Sequence, residues 1–185
     1  SSFSGNLFLT GGETVLDGNS MAAGIVFLGS TDEPMLTVQN GGVLNAANVI
    51  VGNSTNSYAP YLADESGSLS VTGSGSAVNA DFLTVGYYGD GALSISGGGT
   101  VTTSTVITVG SVADSAGTIT ISGENSRLQG GNLQLAGSGT AVLSVSEGAT
   151  IETSFGGLGV NAGSIGTATI SGANTRWDIT QSGLA

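Results

Sequence analysis

The sequence contains no cysteine, no histidine and no lysine, and its only basic residues are Arg127 and Arg176. These absences exclude disulfides, zinc and haem ligation through thiolate or imidazole, and imidazole acid–base catalysis. They also exclude Schiff-base chemistry and lysine cross-links. The formal charge is −11, which disfavours nucleic acid and anionic lipid as partners because both are held mainly through Lys and Arg. No apolar run reaches membrane-spanning length, so membrane insertion by this segment is not expected. The chain opens at Ser1 without a leader-like segment, and a processed product or an excised piece of a longer chain is the expectation.

Proline is scarce, with 2 residues, whereas glycine is abundant, with 33. Glycine at that level would suggest low complexity, but 39% of the residues are hydrophobic and Val, Leu and Ile are spread evenly. Glycines and β-branched residues together exclude long helices, and the apolar period is 2 rather than 3.6. The pattern predicts an all-β chain with a turn every few residues.

One frame recurs. It reads "GSLSVTGSGSAV" at 67–78, "GALSISGGGTV" at 91–101, "GTITISGENSRL" at 117–128, "AVLSVSEGATI" at 141–151 and "GTATISGANTRW" at 166–177. Each copy has two apolar residues two apart, a glycine-rich or polar turn, and a third apolar residue. A further apolar pair follows, as in "FLTVG" at 82–86, "VITVG" at 106–110 and "NLQLAG" at 132–137. Anchors at Leu7, Leu36, Leu69, Leu93, Ile119, Leu143 and Ala168 are spaced by 29, 33, 24, 26, 24 and 25 residues. Residues 1–66 therefore form two irregular first rungs with longer loops, and 67–185 continue the same solenoid in regular rungs. "ISGENSRL" and "ISGANTRW" match most closely, at 49 residues' separation, so the repeat is a pair of rungs.

A unit of about 25 residues with three short strands buries its apolar face only by stacking on copies of itself. Identical patterns at a fixed period favour parallel, in-register pairing. The expected fold is a right-handed parallel β-helix of about seven rungs, ~4.8 Å apart. Leu69, Val71, Val78, Leu83 and Val85 should be buried in one rung, and Leu93, Ile95, Val101, Ile107 and Val109 in the next, with Ser94, Thr100, Thr102 and Thr108 facing out. Trp177 takes the core position of Val78, Val101, Leu128 and Ile151.

The frame "GxLxIxxGxxVxxxxxxxVG" followed by "GxxTISGxNSxLxxxxLxLxG" resembles the repeat shared by passenger regions of type V secretion autotransporters and PEP-CTERM-sorted surface proteins. The resemblance covers 67–180 closely and 1–66 loosely. It implies a secreted or surface-exposed β-helix of a Gram-negative bacterium, acting in adhesion, aggregation or biofilm formation. It carries no catalytic residue onto this chain and no cofactor. The implied partners are a host or matrix glycan or protein, or copies of the chain itself.

Candidate sites fall in the loops after the third strand of each rung. There Asp32, Glu33, Asp64, Glu65, Asp90 and Asp114 would form an acidic line, and Tyr58, Tyr61, Tyr87 and Tyr88 are all the tyrosines of the chain. Tyrosine offers a large amphipathic contact at low entropy cost, which makes Tyr58, Tyr61, Asp64, Glu65, Tyr87, Tyr88 and Asp90 the expected partner-binding patch. The competing account is that the tyrosines cover a corner of the core and the acids are solvated. Acidic loops also suit Ca²⁺, but neither the β-roll nonapeptide nor an EF-hand spacing is present.

A non-catalytic structural or adhesive segment is the expected function, with a self-assembling fibre subunit or a polysaccharide-acting enzyme as alternatives. An enzyme would have to work with carboxylates alone, and Glu152 and Asp178 share an outward position on neighbouring rungs, near the spacing of a retaining glycosidase pair. Arg127 and Arg176 lie in the same strand column, which makes a surface charge ladder the simpler account. Ser70, Ser94, Thr120, Ser144 and Thr169 form an outward hydroxyl column, expected to be isolated rather than part of a lattice.

Overall fold

Alternating Val, Leu and Ile within short glycine-bounded segments produce strands, and those strands find partners one rung away. A computed structural model describes residues 5–53 and 65–180. Among these residues there is no helix, and every pairing between named strands is parallel.

Two sheets face each other. The eight-stranded sheet runs β1 (Leu7–Leu9), β3 (Ser20–Leu28), β5 (Val43–Val51), β7 (Ala77–Val85), β9 (Thr100–Val109), β11 (Arg127–Leu135), β13 (Thr150–Leu158) and β15 (Arg176–Ile179). The seven-stranded sheet runs β2 (Glu13–Asp17), β4 (Met35–Gln39), β6 (Gly67–Thr72), β8 (Asp90–Ser96), β10 (Ala116–Ser122), β12 (Thr140–Ser146) and β14 (Ile165–Ile170). The chain alternates between them and so winds a parallel β-solenoid of about six turns.

Each rung holds two strands, not three. The expected second and third strands merge into one strand of nine or ten residues, as in β7 and β9. Midway along it consecutive residues face outward, Asp81 and Phe82 in β7 and Ser104, Thr105 and Val106 in β9. The strand thereby bends, and pairing lapses at the bend and resumes beyond it.

The core lies between the sheets as vertical columns of like side chains. Leu36, Leu69, Leu93, Ile119 and Leu143 stack in register, as do Leu44, Val78, Val101, Leu128 and Ile151. All ten are at most 1% exposed, and so are Val71, Leu83, Val85, Ile95, Ile107 and Val109, as the alternation predicts. Each such burial contributes ~1.5–3 kcal/mol. Trp177 stacks on Ile151 and is partly buried against the core, its indole N–H donating to Thr153 Oγ1 at 2.8 Å.

Leu7 departs from expectation. It pairs with Val26 in the eight-stranded sheet, while Leu36 has Thr14 as its neighbour below. The segment "NLFLTG" is therefore the counterpart of "NLQLAG", the closing apolar pair of a rung, rather than an opening one. Both pairs alternate with the same parity, so the pattern alone does not tell them apart.

The two-rung repeat has a cause in the turns between the short and long strands. Long turns end in Ser76, Ser126 or Thr175, and the hydroxyl of each accepts the backbone N–H of Gly41, Gly98 or Gly148 in the shorter turn of the preceding rung, at 3.1, 3.0 and 2.9 Å. Ser76 and Ser126 are fully buried. A turn that supplies a hydroxyl thus alternates with a turn that needs one. At the opposite corner Gly52, Gly86 and Gly110 adopt positive φ, and a Cβ on Gly86 would come 2.2 Å from the Ala116 carbonyl oxygen.

Two substitutions test this packing. Ile121→Asp places an unpaired charge at a fully buried mid-solenoid position and should abolish cooperative unfolding, read by circular dichroism on heating. Ser126→Ala leaves the Gly98 N–H without its acceptor and should cost about 1–3 kcal/mol in a urea titration. An unchanged midpoint would contradict the turn-to-turn linkage.

Candidate binding surfaces

The corner that follows β7 is built by one carbonyl. The backbone N–H groups of Tyr87, Tyr88 and Gly89 all donate to Gly52 O, at 3.0, 3.3 and 3.2 Å. This fixes the two tyrosines on the solenoid edge, where their rings meet edge to face with centroids 4.2 Å apart and planes at 65°. Both rings are half-buried, and the exposed Asp90 opens the next strand two residues later. The backbone of Glu65 packs against Gly89, where a Cβ would come 1.7 Å from the Glu65 carbonyl oxygen. The fold thus gathers Glu65, Tyr87, Tyr88 and Asp90 at one corner. Glu65, expected to be presented to a partner, is only 7% exposed, because its segment is tucked beneath the following rung. Tyr58, Tyr61 and Asp64 lie outside the described residues.

Glu33 and Asp90 share a cavity of about 380 Å³ with Met35, Ser66 and Ala116, whereas Asp114 lines a separate one with Ser138 and Ala162. Asp32, Glu33, Asp90 and Asp114 are all exposed. Among the described residues no three acidic side chains converge closely enough to hold a metal ion.

Glu152 and Asp178 are register partners on β13 and β15, one strand spacing apart. Arg127 pairs with Glu152 through Nη2, and Arg176 donates from Nε to Asp178 at 2.5 Å. The hydrogen bond to Asp178 raises the Arg176 pKa above its ordinary value, and the charges of Asp178 and Glu152 add to it. A glycosidase pair needs one carboxyl kept protonated and one free to attack. Here each carboxylate is held by a guanidinium on a partly exposed face, the arrangement of a charge ladder.

The hydroxyl column is not isolated. Ser70, Ser94, Thr120, Ser144 and Thr169 stack in register, and a second column of Thr72, Ser96, Ser122 and Ser146 runs beside it. Ser96 Oγ donates to Thr72 Oγ1 at 3.1 Å. Two adjacent hydroxyl columns therefore run along the outer face of the seven-stranded sheet, because the turn-proximal Ser/Thr of each rung has the same outward parity as the central one, beside a mixed column of Met35, Ser68, Ala92, Thr118 and Val142.

Phenylalanines on the other sheet were not among the expected site residues. Phe8, Phe82 and Phe155 face outward at 53%, 44% and 48% exposure, and Phe8 stacks on Phe27 with centroids 4.8 Å apart. The signal was present in the alternation: Phe82 directly precedes the inward Leu83, and Phe8 sits between Leu7 and Leu9.

If the charged column is a surface ladder, Glu152→Gln should change stability by less than about 1 kcal/mol, measured by denaturant titration. A loss of several kcal/mol would show that the pair is part of the core. No family model, no curated protein and no solved structure matches this chain.

Proposed function

We propose that the chain is a non-catalytic structural and adhesive segment of a bacterial surface or secreted protein, and that it meets its partner at the tyrosine corner. What supports this reading is the Tyr87–Tyr88 pair, held on the solenoid edge by three successive N–H donors converging on the Gly52 carbonyl oxygen. Half-buried aromatic rings on a backbone that is already ordered lose little entropy on binding. Asp90 beside them adds a negative border suited to polar or basic groups on the partner. The sequence resemblance to secreted passenger repeats points to the same class of role, at the cell surface or outside the cell. The two arginines are engaged in intramolecular ion pairs, in keeping with a partner that is not polyanionic.

The test is the double substitution Tyr87→Ser with Tyr88→Ser in protein displayed on cells. Adhesion or aggregation should fall by about tenfold or more, as expected for loss of an aromatic anchor. The melting temperature should stay within a few degrees of the parent. A variant that unfolds would show that the rings only cover the corner; one that folds and adheres as before would place adhesion elsewhere.

A further inference from the structure

A groove of about 530 Å³ crosses the outer face of the eight-stranded sheet, on strands β3, β5, β7 and β9. Its polar lining is Asn45, Asn79, Asp81, Thr102 and Ser104, and alanines such as Ala22 and Ala47 keep it open. Ala22, Asn45, Asn79 and Thr102 are register partners, so one wall is a straight column across four rungs. Asn79 Nδ2 donates to Asn45 Oδ1 at 3.0 Å, which leaves the Asn45 amide N–H groups and the Asn79 carbonyl oxygen for a ligand. Past the bend, Ile25, Asn48, Phe82 and Val106 form the next outward column, and it is mainly apolar.

The groove coincides with an irregularity in the ladder. Ala80 pairs with Thr103 and Phe82 with Val106, so the single residue Asp81 of β7 faces two residues, Ser104 and Thr105, of β9. The extra residue is a bulge, a device that re-aims side chains next to binding sites. Here it brings Ser104 Oγ to Asp81 Oδ1 at 2.8 Å, at the end of the groove. The one carboxylate in the lining is thereby already hydrogen-bonded.

We propose that this groove binds a neutral linear polysaccharide lying along the solenoid axis. A sugar chain presents hydroxyls at its rim and C–H groups on its faces, which matches a column of amides and a hydroxyl beside alanines, with the apolar column of Ile25, Phe82 and Val106 past the bend. Four strands span three spacings, about 14 Å, enough for roughly three sugar residues in an extended chain. A charge of −11 repels polyanions, so uronate or sulfated chains do not fit. An extended peptide does not fit either, because the strands lining the groove are paired within the sheet and β7, at its centre, has a neighbour on each side. The groove lies on a sheet face rather than at the tyrosine corner, so this inference does not depend on the adhesive role of Tyr87 and Tyr88.

Calorimetric titration of the whole protein with cellopentaose, xylopentaose, mannopentaose and laminaripentaose tests it, with oligogalacturonate as the charged control. At least one neutral probe should bind, and its affinity should not change with added salt. Asn45→Ala with Asn79→Ala should weaken it by about tenfold. Ala47→Trp, which fills the groove from an exposed position, should abolish it, while Tyr87→Ser with Tyr88→Ser should leave it unchanged. The melting curve of each variant is recorded alongside. Failure of all four neutral probes would overturn the proposal. So would binding that survives both groove variants, binding lost with the tyrosines, or a salt-sensitive preference for oligogalacturonate.

Discussion

Everything in this molecule depends on like residues stacking on like in parallel register, one strand spacing apart. A single rung exposes its leucines and valines above and below, and only another rung with the same inward positions covers them. The columns headed by Leu36 and Leu44 are the result, and they explain how a chain without disulfides builds a continuous core. The same constraint limits what the interior accepts where the long strand bends. There Ala80, Thr103, Gly130 and Thr153 succeed one another, and a Cβ on Gly130 would come 2.5 Å from Thr103 Oγ1. Small residues on the inside of a bend are what allow the strand to turn while its neighbours keep register.

Stacking that fixes the inside frees the outside. Outward residues repeat at the strand spacing along the axis and at every second residue along a strand, so each face becomes a lattice whose chemistry is set by the choice at each parity position. One face carries two hydroxyl columns, another carries phenylalanines and the asparagine column, and the edge carries the tyrosine corner. Function on such a framework needs no moving part. It needs side chains that depart from the repeat, and among the described residues these occur at the corner where Tyr87 and Tyr88 stand and at the bulge in β9.

Much of the architecture was legible in the sequence because burial follows a period of two. The inward set of the regular rungs was read correctly, and so was the pairing of rungs that Ile121 and Ile170 mark. The position of Leu7 was not legible, since an opening pair and a closing pair look alike until the turn between them is known. Nor was the merging of two short strands into one, because a bend at which pairing lapses only briefly leaves the same run of outward residues as a loop would. At the site, the aromatic character of the β7 corner was visible in Tyr87 and Tyr88. The burial of Glu65 was not, because it depends on how its segment packs against Gly89 one rung away. The groove was invisible for a related reason: it is made by residues from four rungs, and its bulge is one extra residue that only the register exposes.

The central claim is the parallel in-register stack, and a distance measurement tests it most directly. The chain has no cysteine, so Ser70→Cys with Thr169→Cys places exactly two spin labels on one outward column. Four strand spacings separate these positions, about 19 Å between backbones, although 98 residues of chain lie between them. A narrow distribution at that separation, broadened only by the label tethers, is the predicted result. A broad distribution, or a distance unrelated to four strand spacings, would contradict the account.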